Sequence, residues 1–184
     1  MSTTLTQIPG FTVGTWTIDA AHSDVSFTVR HMMVAKVRGH FRAFSGQIVT
    51  TEDPLVSSVS ATIDLASLDT GNEQRDAHIR SADFLDVAAH PTMTYRSTCL
   101  RQEGDGWVVD GELSLHGVTR PVPLALEVNG FVTDPYGARR AGFTATTEIS
   151  RRDFGIDISI PMDGGVVVGD RIQIALEIEA LLDG

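Results

Sequence analysis

The chain has 184 residues, with 14 Lys and Arg against 24 Asp and Glu, a formal charge of −10 at neutral pH. That length supports one compact domain with a self-sufficient core, and a single cysteine, Cys99, rules out an intrachain disulfide. The negative charge removes the overall basic footprint of nucleic-acid binding and of docking on anionic headgroups, so no nucleic-acid partner is expected.

From the N-terminus, MSTTLTQIPGFTVG holds no basic residue and no apolar run. Neither a signal peptide nor a transmembrane span is expected, which implies a cytoplasmic location and no stable membrane insertion. Residues 1–13 read as a flexible extension, and residues 14–184 as one domain.

Period-two alternation then recurs along the chain, with turn residues between the runs. Val25, Phe27, Val29 and His31 share one parity; Val59, Ala61, Ile63 and Leu65 form another run; Trp107, Val109, Leu113 and Leu115 a third. Later runs are Val122 to Val128, Phe143 to Ile149, and Ile172, Ile174, Leu176, Ile178 and Leu182, the last interleaved with Gln173, Glu177 and Glu179. Such contrast predicts antiparallel strands with one wet face and one apolar face. Gly104-Asp105-Gly106, Asn129-Gly130 and Asp134-Pro135-Tyr136-Gly137 read as breaks between strands. Pro121 and Pro123 place the strand they open at a rim or free edge, and Gly111 suggests a bend.

Residues 71–90 break the alternation. Thr70 and Glu73 stand at capping-box spacing and Pro91 closes the stretch, predicting one or two short helices. The fold class is therefore all-β with a short helical insertion, as a sandwich or a closed barrel. A barrel of about eight strands is just wide enough to be filled by its own side chains or to hold a small molecule.

Among polar residues, His31 shares the inward parity of Phe27 and Val29, either as a satisfied core histidine or as a contact to a ligand headgroup. Asp76 and His78 lie two apart, which on a helix turns them to different sides. Asp76 with Arg80 reads as an ordinary i,i+4 ion pair, and an irregular turn would instead let Asp76 and His78 line a pocket mouth. Cys99, on the parity of Met93 and Tyr95, reads as a buried, inert thiol. Asp153-Phe154-Gly155 lacks every companion motif of kinase chemistry. Serine-nucleophile elbow, phosphate loop and cysteine cluster are all missing, so no catalytic residue, metal or cofactor is assigned.

Trp16-Thr17-Ile18-Asp19, His22-Ser23, Gly39-His40-Phe41 and Phe44-Ser45-Gly46 together resemble the opening of the YceI-like family. The resemblance continues through Asp69-Thr70, Arg75-Asp76-Ala77-His78, Ser81 to Asp86, His90-Pro91, Leu115-His116-Gly117-Val118-Thr119 and Ser150 to Ile156. It implies an elongated, lipocalin-like antiparallel barrel around a long isoprenoid or similar amphiphile, such as a polyprenyl quinone or polyprenyl phosphate, without metal or cofactor. Many members are periplasmic. By that resemblance the ligand-binding residues are Phe27, His31, Phe41, Asp76, His78, Phe84, Arg152 and Phe154, and the apolar run adds Leu176. Two other readings stay open: a hydrolase or isomerase using His31, His78 and Asp76, and an interaction protein with a filled barrel. A homodimer also stays open.

Overall fold

The computed structural model describes residues 7–158, 161–162, 165–166 and 168–184. In chain order the strands are β1 (Gly14–Ile18), β2 (Asp24–His31), β3 (Ala35–Phe41), β4 (Phe44–Thr50), β5 (Ser58–Asp64) and β6 (Leu68–Asp69). After the helix α1 (Glu73–Arg80) come β7 (Thr92–Glu103), β8 (Gly106–Leu115), β9 (Val118–Pro121), β10 (Leu124–Thr133) and β11 (Arg139–Ser150). A two-stranded ribbon of β12 (Pro161–Met162) and β13 (Gly165–Val166) precedes the long β14 (Val168–Leu182).

Eight strands close a barrel in the order β1-β4-β5-β7-β8-β10-β11-β14, and β14 pairs back to β1. Every pairing is antiparallel, which agrees with the alternation of apolar and polar residues. The closing register sets Trp16 opposite Leu182 and Ile18 opposite Ala180. The earlier half of β14 pairs instead with β2, which carries β3 and β6 at its side. The barrel wall therefore continues past the ring as a β2–β3 hairpin, and α1 lies beside β6 at that end.

Two bulges reverse the side-chain parity, because one extra residue in a strand turns the following side chains over. Asn129-Gly130 does not end a strand: β10 runs through it with a shifted register between Val128 and Gly130. In β7 a shift between Ser97 and Cys99 buries Leu100 and leaves Cys99 exposed, with its thiol on the Asp110 carboxylate at 3.4 Å. The reading of Cys99 as buried is thus corrected. Gly111 serves close approach rather than a bend, since a Cβ there would lie 2.4 Å from the Tyr95 hydroxyl. That hydroxyl donates to the Val122 carbonyl at 2.8 Å.

One end of the barrel is sealed by Trp16, Phe131, Phe143, Ala141 and Ala180. Trp16 is fully buried, and its indole N–H donates to Thr50 Oγ1 at 2.9 Å. Phe11 stacks edge-on against Phe131 at 5.4 Å, and Arg139 donates to Thr12 Oγ1. The segment expected to be loose through residue 13 is therefore docked over its described part, residues 7–13.

The helix is shorter than its sequence stretch. Asn72 is the N-cap, accepting from the Arg75 N–H at 2.9 Å, in place of the expected Thr70. Beyond Arg80 the chain runs in turns to Pro91. Arg80 donates to the carbonyls of Ala66 and Leu68, so the expected Asp76–Arg80 pair does not form.

Candidate functional site

The inner face of the barrel encloses two apolar hollows of about 240 and 120 Å³. Along β14, Ile172 and Ile174 line the larger one, and Leu176 and Ile178 the smaller. Because alternate residues of a strand face the same way, the hollows lie in tandem along one wall, over about 20 Å at about 3.4 Å per residue.

The larger hollow lies at the α1 end. From β2 it takes Val25, Phe27, Val29 and His31, and from β3 Val37 and Phe41. The Phe27 and Phe41 rings meet at 5.5 Å. Gly39, opposite Phe27 in the register, leaves the space that ring fills: a Cβ there would lie 2.3 Å from it. The cover comes from Arg75, His78 and Ile79 of α1, with Phe84 and Leu85 just after it. His78 holds Asp83 through Nε2 at 2.9 Å and stands edge-on to Phe84 at 5.0 Å.

Of the residues expected at the ligand, Phe27, His31, Phe41, His78 and Phe84 line this hollow, and Leu176 lines the second. Three others do different work. Asp76 is buried beneath the helix and accepts from both the Thr70 N–H and its hydroxyl, fixing the loop into α1. Phe154 is fully packed in the core, in a 3-10 turn after β11 (residues 151–154). Arg152 points outward, half-exposed, toward Asp170.

Arg151, its neighbour, is the buried one. It is 2 % exposed and lines the larger hollow. Nε donates to Gly169 at 3.0 Å, Nη1 to Ile156 at 2.7 Å and Nη2 to Val168 at 3.2 Å, all three partners being backbone carbonyls. Burial, reinforced by the Arg152 charge, pushes the guanidinium below its ordinary pKa. It remains a cation, since a guanidinium does not lose its proton in proteins. Arg30 and Arg75 also border the hollow, with Ser26, so its charged and titratable groups are guanidinium or imidazole, and among the described residues no carboxylate lines it. The second hollow is bounded by apolar side chains with the hydroxyls of Thr50, Ser57, Ser58 and Ser97.

A family model described as YceI-like domain matches residues 16–180. The chain belongs to the YceI-like family. A UPF0312 protein of Vibrio cholerae is 40% identical to this YceI-like chain over 142 residues, covering 75% of it and 74% of the relative. Protein YceI of Escherichia coli is 39% identical over 139 residues, covering 75% and 73%. Among solved structures, Campylobacter jejuni YceI superposes with a TM-score of 0.73 at 27% identity, over 90% of this chain and 96% of that one. Burkholderia cenocepacia BcnA gives 0.77 at 24%, over 88% and 98%. A polyisoprenoid-binding domain from Saccharophagus degradans gives 0.70 at 16%, over 94% and 100%. The last two share the fold.

The YceI-like fold explains why the readable sequence signals were strands and glycines, while the cationic border was not readable. Arg151 stands in a short turn where strand parity does not apply, and its charge argues for exposure. No sequence signal separates it from Arg152.

Proposed function

We propose that this YceI-like barrel binds and carries a long-chain amphiphile of the isoprenoid class, without acting on it chemically. The tandem apolar hollows carry this reading. A tail threaded along Ile172 to Ile178 is removed from water over its length, at about 25 cal/mol per Å² of apolar surface, and the polar end meets Arg30, His31, Arg75 and His78. A few polar groups at one end of an apolar cleft orient a ligand more than they hold it. The fold shared with a polyisoprenoid-binding domain supports the same class.

The hydrolase or isomerase reading sets Asp76 beside His31 or His78, as the carboxylate that orients the base. Asp76 is committed to Thr70, and His78 pairs with Asp83 on the solvent side. Carriage fits that arrangement better than turnover.

The test is native mass spectrometry of the purified protein, followed by titration of the delipidated, folded barrel with a polyprenyl quinone and a polyprenyl phosphate. One molecule per barrel, at micromolar or tighter affinity, is the expected result. A folded, delipidated barrel that takes up neither lipid at micromolar concentration ends the proposal.

A further inference from the structure

We infer that Asp86, His90 and His116 form a binding site for a divalent transition-metal ion. Asp86 and His90 stand in the turns after α1, and His116 in the β8–β9 turn. One ligand atom of each lies within 4.8 Å of the other two, so a point within about 2.8 Å of all three exists. Small side-chain rotations bring that to the roughly 2.0–2.2 Å of zinc–nitrogen and zinc–oxygen bonds.

The tautomer of His116 is fixed by its neighbour. Its Nδ1 donates to the Phe154 carbonyl at 2.9 Å, which leaves the Nε2 lone pair free. The His90 ring lies 5.1 Å from it. Among the described residues neither the His90 ring nor the Asp86 carboxylate has a hydrogen-bond or ion-pair partner, although all three residues are half-buried. Side chains at half-buried positions with no protein partner keep their lone pairs available to a metal ion. Gly117 makes room, since a Cβ there would lie 2.8 Å from the His90 ring. Asp86 and His116 both hold left-handed backbone, at φ of 50° and 55°. Two imidazoles and one carboxylate suit zinc and its first-row neighbours, with positions left for water. Leu85 and Leu115, each next to a ligand in sequence, line the larger hollow, so the ion would pin its cover to the barrel wall.

The test is calorimetric titration of the chelator-treated full chain with zinc ion alone, with thermal melts in parallel. One ion per chain is expected, bound at least tenfold more weakly by His90→Gln and by Asp86→Asn. Zinc should raise the melting temperature of the wild type and not of His90→Gln. His22→Ala serves as the control, because Asp19, His22 and Glu179 also cluster, although Asp19 already holds His22 and Arg140. No binding, binding unchanged in His90→Gln, or binding lost with His22→Ala would each overturn the site.

An independent observation concerns the β2–β3 hairpin, which we propose docks on an anionic lipid bilayer. Residues 25–51 contain no Asp or Glu, yet hold Arg30, Lys36, Arg38 and Arg42. Arg42 pairs with Asp69, whereas Arg30, Lys36 and Arg38 have no carboxylate partner among the described residues. At the tip, Met32, Met33 and Val34 are 42, 45 and 88 % exposed. A chain charge of −10 thus averages over a hairpin of the opposite sign. Cations flanking an exposed apolar tip match a bilayer with acidic headgroups above acyl chains, and an acidic protein surface would leave the three apolar side chains unmatched. Arg30 and His31 also border the larger hollow, which sets its polar end beside the bilayer.

The check is co-sedimentation of the full chain with vesicles of pure phosphatidylcholine and of equimolar phosphatidylcholine and phosphatidylglycerol. Binding is expected to the mixed vesicles alone, weakened at least fivefold by Lys36→Glu and by Met33→Asp, and unchanged by Arg96→Glu, the same charge change on β7. Failure to bind mixed vesicles, equal binding to neutral ones, or equal loss with Arg96→Glu would remove the proposal.

Discussion

Arg151 and Ile156 stand five residues apart, and Nη1 of the first donates to the carbonyl of the second at 2.7 Å, closing the turn that follows β11. The same guanidinium bonds the carbonyls of Val168 and Gly169, tying that turn to the start of β14. Arg151→Met should lower stability by about 3 kcal/mol, because three inward carbonyls lose a charged donor at once. Denaturant unfolding followed by tryptophan fluorescence measures this. Arg152→Met, half-exposed, should change stability by less than about 0.5 kcal/mol.

Leu176 lines the second hollow next to the point where Ile174 lines the first. Leu176→Trp fills that passage at a packing cost of about 1–3 kcal/mol. Affinity for long-chain ligands should fall at least tenfold, while ligands short enough for the first hollow alone keep theirs. Titration with a homologous series of isoprenoid chains reads the difference, and a uniform loss across the series would count against a through-running tail path.

His31 borders the larger hollow on the face shared with Phe27 and Val29. His31→Leu should weaken headgroup-bearing isoprenoids more than the corresponding hydrocarbons. Competition binding with both kinds of ligand checks it, and equal changes would make His31 a plain wall residue.

Asp134 is held below the usual carboxylate range chiefly by Arg140, and Asp19 by His22 and then by Arg140. Folding therefore gains stability from both carboxylates fully above about pH 4, the ordinary value, and loses it as pH falls through the lowered folded values. Acid unfolding of Arg140→Gln should begin at higher pH than that of the wild type. Parallel melts from pH 7 down to pH 3 show it, and Asp134→Asn should show a weaker pH dependence over the same window.

Tyr95 lies behind the opposite effect: burial, with the Asp110 charge added, pushes its phenol above the ordinary tyrosine value. In Tyr136→Phe, which leaves Tyr95 as the sole tyrosine, tyrosinate absorbance should stay absent at pH 10 to 11, where a free phenol ionises. Tyr95→Phe should cost about 1–2 kcal/mol, because the carbonyl of Val122 loses its donor.

Strand parity carried most of what was legible in the sequence. It placed Phe27, His31 and Leu176 on the inner face, and there they stand, the first two on β2 beyond the closed ring and the third on β14 within it. It failed where a strand takes an extra residue. Cys99 and Leu100 exchange faces at the bulge after Ser97, and no local residue announces that shift. In the helical insertion the capping signal was correct in kind and displaced by two residues, since Asn72 accepts from the Arg75 N–H where Thr70 was expected to accept from that of Glu73. Asp76 and Arg151 escaped for a common reason. Each is a charged side chain whose burial is compensated by backbone groups, for Asp76 together with the Thr70 hydroxyl, and backbone partners leave no mark in sequence spacing.

Trp16 and Ile18 of the first strand meet Leu182 and Ala180 of the last. A ribosome delivers the former more than 160 residues before the latter, so throughout that interval β1 has β4 but not its other neighbour. Until residues 180–182 emerge, an unpaired strand edge and the apolar lining behind it face water together. The nascent chain is consequently open to edge-to-edge aggregation until β14 pairs with β1, a closure that carries the entropic cost of a very wide sequence separation.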